Sequence, residues 1–308
     1  MTFTHCEEHR AGIDLDWLED EEHRIRVGIS RLGAELISIQ RRDSSGGWIG
    51  FLHRDNDLSP VQTGWLNHAT VMGYFLHRLK DGRSIYRGKE IRGGTHSFLR
   101  TKQWHLVTCE NGSATYRITQ EDFSHLEYPL KVSVELTYRL REEAVEVEFK
   151  FTNAEPELTA HVGFGLHPGF AAQSFESFSL KMPAGKYRRY FSPENYLSGE
   201  TEEIDFQGGA MPFERTKLPG SFILELVQTT SREFLFEDAA SGRSVILDLG
   251  NAPYVTLWSD GGPFLCIEPC WGLTDHHVQR AFEDKAGIQK IPPRGELLAA
   301  CAIKPRLL

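Results

Sequence analysis

The sequence predicts an all-β fold, a large antiparallel β-sandwich, and three observations carry that reading. Apolar and polar residues alternate with a period of two through most of the chain. Turn residues separate the alternating runs, as at Asn111-Gly112, Ser241-Gly242 and Asp260-Gly261-Gly262. Sustained 3.6-residue periodicity with helix caps is almost missing, which argues against a βαβ arrangement.

The clearest element is a hairpin. Lys131–Leu140 sets Val132, Val134, Leu136, Tyr138 and Leu140 on one face, and Ala144–Lys150 repeats the pattern after the charged turn Arg141-Glu142-Glu143. Ser113–Thr119, Glu233–Glu237, Ser244–Leu249 and Tyr254–Ser259 read as further strands. Phe191–Phe213 is polar and reads as a long loop excursion over one face. No linker, fixed-period repeat, Walker loop or dinucleotide fingerprint interrupts the pattern, so residues 1–308 are expected to form one domain.

Composition narrows the function classes. At 308 residues and 40% hydrophobic, the chain can bury a large core. Its net charge of -9 opposes a broad nucleic-acid surface, which needs clustered positive charge. No run of about 18 apolar residues occurs, and no basic start leads into an apolar stretch, so neither a membrane partner nor a signal peptide is expected. Cys6, Cys109, Cys266, Cys270 and Cys301 are few, scattered and odd in number, which fits a reduced, cytoplasmic compartment. Cys266 and Cys270 lack metal-knuckle spacing and a second pair, so no metal or cofactor is expected. A monomer or homodimer is expected.

Thirteen histidines leave local context to choose among them. One polar, glycine-rich region runs from His77-Arg78 through His96 to Arg100, and by itself it reads as an exposed hairpin with solvated charges. His167 lies among apolar neighbours in Gly163–Phe170, and Pro168 biases it toward extended backbone. Glu268 follows the apolar run Phe264–Ile267 and should be partly buried, which raises a carboxyl pKa and makes a better base near neutrality. Pro269 is expected to stop that strand, and Trp271 could offer an apolar platform to a sugar ring. A backbone-bonded core histidine and a salt-bridged structural glutamate are the alternatives.

Taken together, Arg78, Thr95–Arg100 with Trp104, Leu166–Phe170 and Cys266–Gly272 resemble, in order and rough spacing, the aldose 1-epimerases (galactose mutarotase-like proteins). Gly33–Ser38, Asn153 and Lys285–Glu296 extend the resemblance over nearly the whole chain. It implies a galactose mutarotase-like supersandwich and a small-molecule sugar substrate. Glu268 would be the base at the anomeric hydroxyl, His167 the acid at the ring oxygen, and His96 a second histidine near that oxygen. Arg78 and His77 would bind substrate. The family's common histidine-glycine pair is His96-Ser97 here, and its sugar-binding aspartate has only Asp205 and Asp238 as candidates.

Ring opening and reclosure need only concerted proton transfer. Two basic clusters, one of Arg78, Lys80, Arg83 and Arg87 and one at Lys186–Tyr190, keep open an epimerase specific for a phosphorylated or sulfonated hexose. A non-catalytic carbohydrate-binding protein on the same fold and a polysaccharide-cleaving enzyme are further alternatives.

Overall fold

The computed structural model describes residues 3–211 and 215–308. Most strands gather into three large sheets. Five strands from Phe3–Arg10 to Trp48–Gly50 form a meander at the N-terminus. Nine strands form the second sheet, with Glu296–Leu307 between Arg243–Asp248 and Ala144–Asn153. Eight strands build the third, in which Ala160–Ala171, Phe264–Trp271 and Tyr254–Trp258 lie side by side and Ala69–Tyr74 pairs with Ala160–Ala171.

The period-two pattern sets these sheets face to face. Val132, Val134, Leu136, Tyr138 and Leu140 are all buried, and their strand pairs with Ala144–Asn153 in unbroken register from Val132–Asn153 to Arg141–Ala144. On the next strand Phe149 and Phe151 meet Phe164 of the eight-stranded sheet at ring distances of 5.3 and 4.5 Å. The five-stranded sheet is tied in by phenols: Tyr138 donates to the Ala34 carbonyl at 2.7 Å and Tyr116 to Asp16 at 2.9 Å. A buried tyrosine needs such an acceptor, since an unpaired hydroxyl would cost about 1–3 kcal/mol.

The expected strands appear within a residue of their predicted ends, except that the second hairpin strand runs three residues past Lys150, to Asn153. Phe191–Phe213 is a correction. Within it Thr201–Phe206 is a strand pairing with Gly185–Tyr190, and Phe213 lies outside the described residues. This strand closes one edge of the sheet and most of its side chains are exposed, so it carries no apolar alternation to read.

The central strand Ala160–Ala171 divides its residues by parity. Val162, Phe164, Leu166 and Phe170 enter the core cluster, while Gly163, Gly165, His167 and Gly169 share the other face. The glycines on that face let neighbouring groups pack close to the strand. A Cβ on Gly165 would stand 2.6 Å from the Pro269 carbonyl oxygen and 3.0 Å from Met72 Cε. Gly165→Ala is therefore expected to destabilise the fold by about 1–3 kcal/mol through overpacking. Urea unfolding checks this, and an unchanged midpoint would contradict it.

Candidate active site

Two neighbouring strands place the central pair. Gly165 stands opposite Cys270 and Gly169 opposite Cys266, so the register sets His167 directly across from Glu268. Between those two pairings no ladder pairs form. Pro168 and Pro269 lie in this gap, and neither has an N–H to give. Each strand keeps its other neighbour: Pro168 pairs with Ala69 and Pro269 with Val255. Pro269 therefore does not end its strand, which continues to Trp271. Across the gap His167 Nε2 and Glu268 Oε1 are 3.2 Å apart, both side chains being buried. The contact lacks hydrogen-bond alignment, and among the described residues nothing donates to either Glu268 oxygen.

The pair forms the floor of a cavity of about 350 Å³, the size of a small-ligand site. Trp65 stacks on the His167 ring at 5.0 Å, and Trp258 meets both at steeper angles. Gly169 permits this approach, because a Cβ there would fall 2.4 Å from the Trp65 ring. His96 meets His167 edge to face at 5.2 Å and His77 at 5.3 Å. Arg78 and Arg100 line the same cavity with Asn67, Thr70 and Ser221.

Burial governs the electrostatics. It pushes the Glu268 carboxyl well above the usual range, so the neutral acid is favoured. It also holds His167 down to about 3, with His77 and Arg100 adding to the depression. His96 is lowered well below its ordinary value by burial and then by His167 and His77, and His77 falls to about 4. Burial thus favours a neutral acid beside a neutral imidazole.

A second layer holds the rim. The buried Asp275 lies 3.1 Å from Lys285 and accepts from the Lys80 backbone N–H, while its own N–H donates to the Arg78 carbonyl. The His96 N–H donates to the His77 carbonyl at 2.7 Å. His96 and Ser97 both have a φ of 63°.

His77, Arg78, His96, His167 and Glu268 all converge on the cavity, although they come from four separate segments. Trp271 does not. It is buried, stacked at 5.1 Å on Phe164, and its indole N–H points to Asn251 Oδ1. The cause is parity: Trp271 lies three residues after Glu268 on a strand, so it faces the core. Trp65 and Trp258 stand in the cavity instead. Trp65 sits in an irregular segment, and no periodicity pointed to it. The knot at Lys186–Tyr190 is also elsewhere, with Arg188 bound to Glu203 and Glu225. Asp238 and Asp205 both lie outside the cavity, and Asp238 accepts from the Gln173 N–H. His77, Glu268 and Cys270 bring a nitrogen, an oxygen and a sulfur within 4.8 Å of one another, a set that could hold a thiophilic divalent ion.

The aldose 1-epimerase family profile matches residues 17–296. The chain belongs to the aldose 1-epimerase family. It superposes on a galactose mutarotase related enzyme from Lactobacillus acidophilus with a TM-score of 0.83 at 22% identity, covering 99% of this chain and 97% of that one. A galactose mutarotase-like protein from Lactobacillus casei gives 0.82 at 19%, over 95% and 100%. A galactose 1-epimerase from Lactobacillus acidophilus gives 0.72 at 13%, over 99% of each chain. No curated protein matches the chain. These likenesses show the galactose mutarotase-like fold. The left-handed backbone at Ser97 also gives the histidine-glycine pair a physical reason, since glycine adopts that conformation without the cost of about 1–2 kcal/mol that a side chain carries.

Two predictions follow from burial. Asp275→Ala leaves the Lys285 ammonium buried and unpaired, and should cost about 3–5 kcal/mol in chemical denaturation; a loss below 1 kcal/mol would contradict the pairing. The second concerns pH. The Glu268 pKa is raised in the fold, so its contribution to stability is full below pH 4.5 and is lost as pH rises toward the folded value. The stability of Glu268→Gln relative to the unsubstituted chain should therefore grow with pH above 4.5. His167 behaves oppositely. Its contribution is present above 6.5 and lost as pH falls toward about 3, so His167→Asn should flatten acid sensitivity in that window. Parallel stability curves for variant and unsubstituted chain would contradict either sign.

Proposed function

We propose that this protein is an aldose 1-epimerase that interconverts the α and β anomers of a sugar in the cavity above Glu268. The observation that carries the reading is the opposition of His167 and Glu268 at 3.2 Å on the floor of a small-ligand cavity. The two sugar oxygens that exchange protons share one carbon, so their catalytic partners must be close neighbours.

In the reactive arrangement Glu268 is a carboxylate and His167 an imidazolium. Glu268 takes the proton from the anomeric hydroxyl, the anomeric C–O bond becomes a carbonyl, and the bond from the anomeric carbon to the ring oxygen breaks. His167 protonates that oxygen. The result is a neutral acid beside a neutral imidazole, the protonation that burial favours in the empty site. Rotation about the adjacent carbon–carbon bond and reversal of the same transfers give the other anomer. Substrate hydroxyls and the cavity's arginines would supply the polar surroundings that the carboxylate lacks in the empty protein. His96 and Arg78 would hold the ring, and Trp65 and Trp258 would offer apolar faces to its C–H groups.

Among the described residues Glu268 is the one carboxylate lining the cavity. A retaining glycosidase would need a second at about 5–5.5 Å, so sugar cleavage by that route has no support here. A binding protein would have no need of the opposed pair.

Anomer-exchange NMR on a panel of aldoses tests the reading. Glu268→Gln and His167→Asn should each lower exchange by about 10²–10⁴-fold, the range for a positioned acid or base. Sugar binding by Glu268→Gln should persist. The native rate should fall on both sides of an optimum, because the pair must hold one proton in total. Full exchange rates in Glu268→Gln would refute the mechanism.

A further inference from the structure

We propose that the preferred substrate carries an oxyanion group away from its anomeric carbon, and that Arg78 and Arg100 bind that group at the cavity mouth. The inference rests on the epimerase reading for the identity of the sugar, but the anion site stands on its own observations.

Acidic residues outnumber basic ones in this chain, 43 to 34. Its arginines are accordingly paired in many places: Arg31 with Asp16 and Glu7, Arg42 with Glu19, Arg117 with Glu135, and Arg188 with Glu203 and Glu225. The two cavity arginines have no carboxylate partner among the described residues; exposed arginines such as Arg83, Arg280, Arg294 and Arg306 share that state, but Arg78 and Arg100 line the cavity. Among the described residues, the guanidinium of Arg78 makes no hydrogen bond or ion pair, and that of Arg100 reaches only the Asn67 side-chain oxygen, at 3.5 Å. The nearby Asp275, whose backbone N–H meets the Arg78 carbonyl, is committed to Lys285. Two guanidinium groups that line one cavity, neither paired with a carboxylate among the described residues, offer an anion from outside a place to bind.

The remainder of the lining points the same way. Neutral sugars are commonly gripped by carboxylates that accept from adjacent hydroxyls. The one carboxylate here is Glu268, at the floor and facing His167. Asp205 and Asp238 lie elsewhere. Both arginines act electrostatically on His96, Arg78 also on His77 and Arg100 also on His167, so they flank the histidine cluster. An anion bound between them would offset their field on these rings. It would thereby favour the imidazolium that His167 must form to protonate the ring oxygen. Planar guanidinium forks suit phosphate, sulfonate or carboxylate oxygens, and paired forks add geometric selection to charge.

Two measurements on the full chain test this. The first compares exchange rates for glucose, galactose, glucose 6-phosphate and glucuronate. At least one anionic sugar should exceed both neutral ones in kcat/KM by about tenfold or more. That ratio should fall toward one in Arg100→Gln and Arg78→Gln, shrink with added salt, and survive in part in Arg100→Lys. Neutral sugars turned over as well as or better than both anionic ones, with exchange still dependent on Glu268, would overturn the anion site and leave the epimerase standing. The second measurement uses sugars that cannot epimerise: 1,5-anhydroglucitol and 1,5-anhydrogalactitol, each with and without a 6-phosphate, titrated by calorimetry. Tighter binding of a phosphorylated form by about tenfold, lost in Arg100→Gln, supports the site even if no aldose is turned over and the epimerase reading falls. Equal binding of the paired compounds overturns it.

Discussion

The site depends on one constraint: a carboxyl and an imidazole face each other across two neighbouring strands, both removed from water. Their separation is set by strand pairing. A directly opposed cross-strand pair brings two side chains into contact. The two prolines that follow these residues clear the ladder at this point without leaving unmet donors, and each strand stays held by its other neighbour. Reacting groups borne by sheet strands are positioned more firmly than groups on loops.

Burial then sets the chemistry. Burial disfavours the Glu268 carboxylate, to which nothing donates among the described residues, and the same burial disfavours the His167 imidazolium. Both shifts favour moving one proton from His167 to Glu268. A sugar entering the cavity would be the conduit for that proton, giving one from its anomeric hydroxyl and receiving one at its ring oxygen.

Close packing beside His167 depends on glycine. A Cβ at Gly169 would strike the Trp65 ring, and one at Gly165 the Pro269 carbonyl oxygen and Met72. The upper wall of the cavity comes from irregular segments. Their positions depend on a buried Asp275–Lys285 pair and on left-handed backbone at His77, His96 and Ser97. Strands carry the His167–Glu268 pair, and irregular segments carry most of the other groups that line the cavity.

The alternation of side chains by itself determined the all-β class and the main hairpin, because a half-buried strand writes its two faces into consecutive residues, and the unbroken apolar run Phe264–Ile267 pointed to the burial of Glu268. Ordered motifs also brought His77, Arg78, His96 and His167 forward together. The same parity, carried three residues past Glu268, would have turned Trp271 toward the core. Tertiary structure alone decided the rest. Thr201–Phe206 is an edge strand held by backbone bonds, and such pairing leaves little trace in side-chain pattern. Trp65 and Trp258 meet His167 from distant segments and Arg100 lines the same cavity, and no local periodicity encodes which loop folds over which strand. That Arg78 and Arg100 lack acidic partners among the described residues follows from how the neighbouring carboxylates are placed, which is a property of the folded chain.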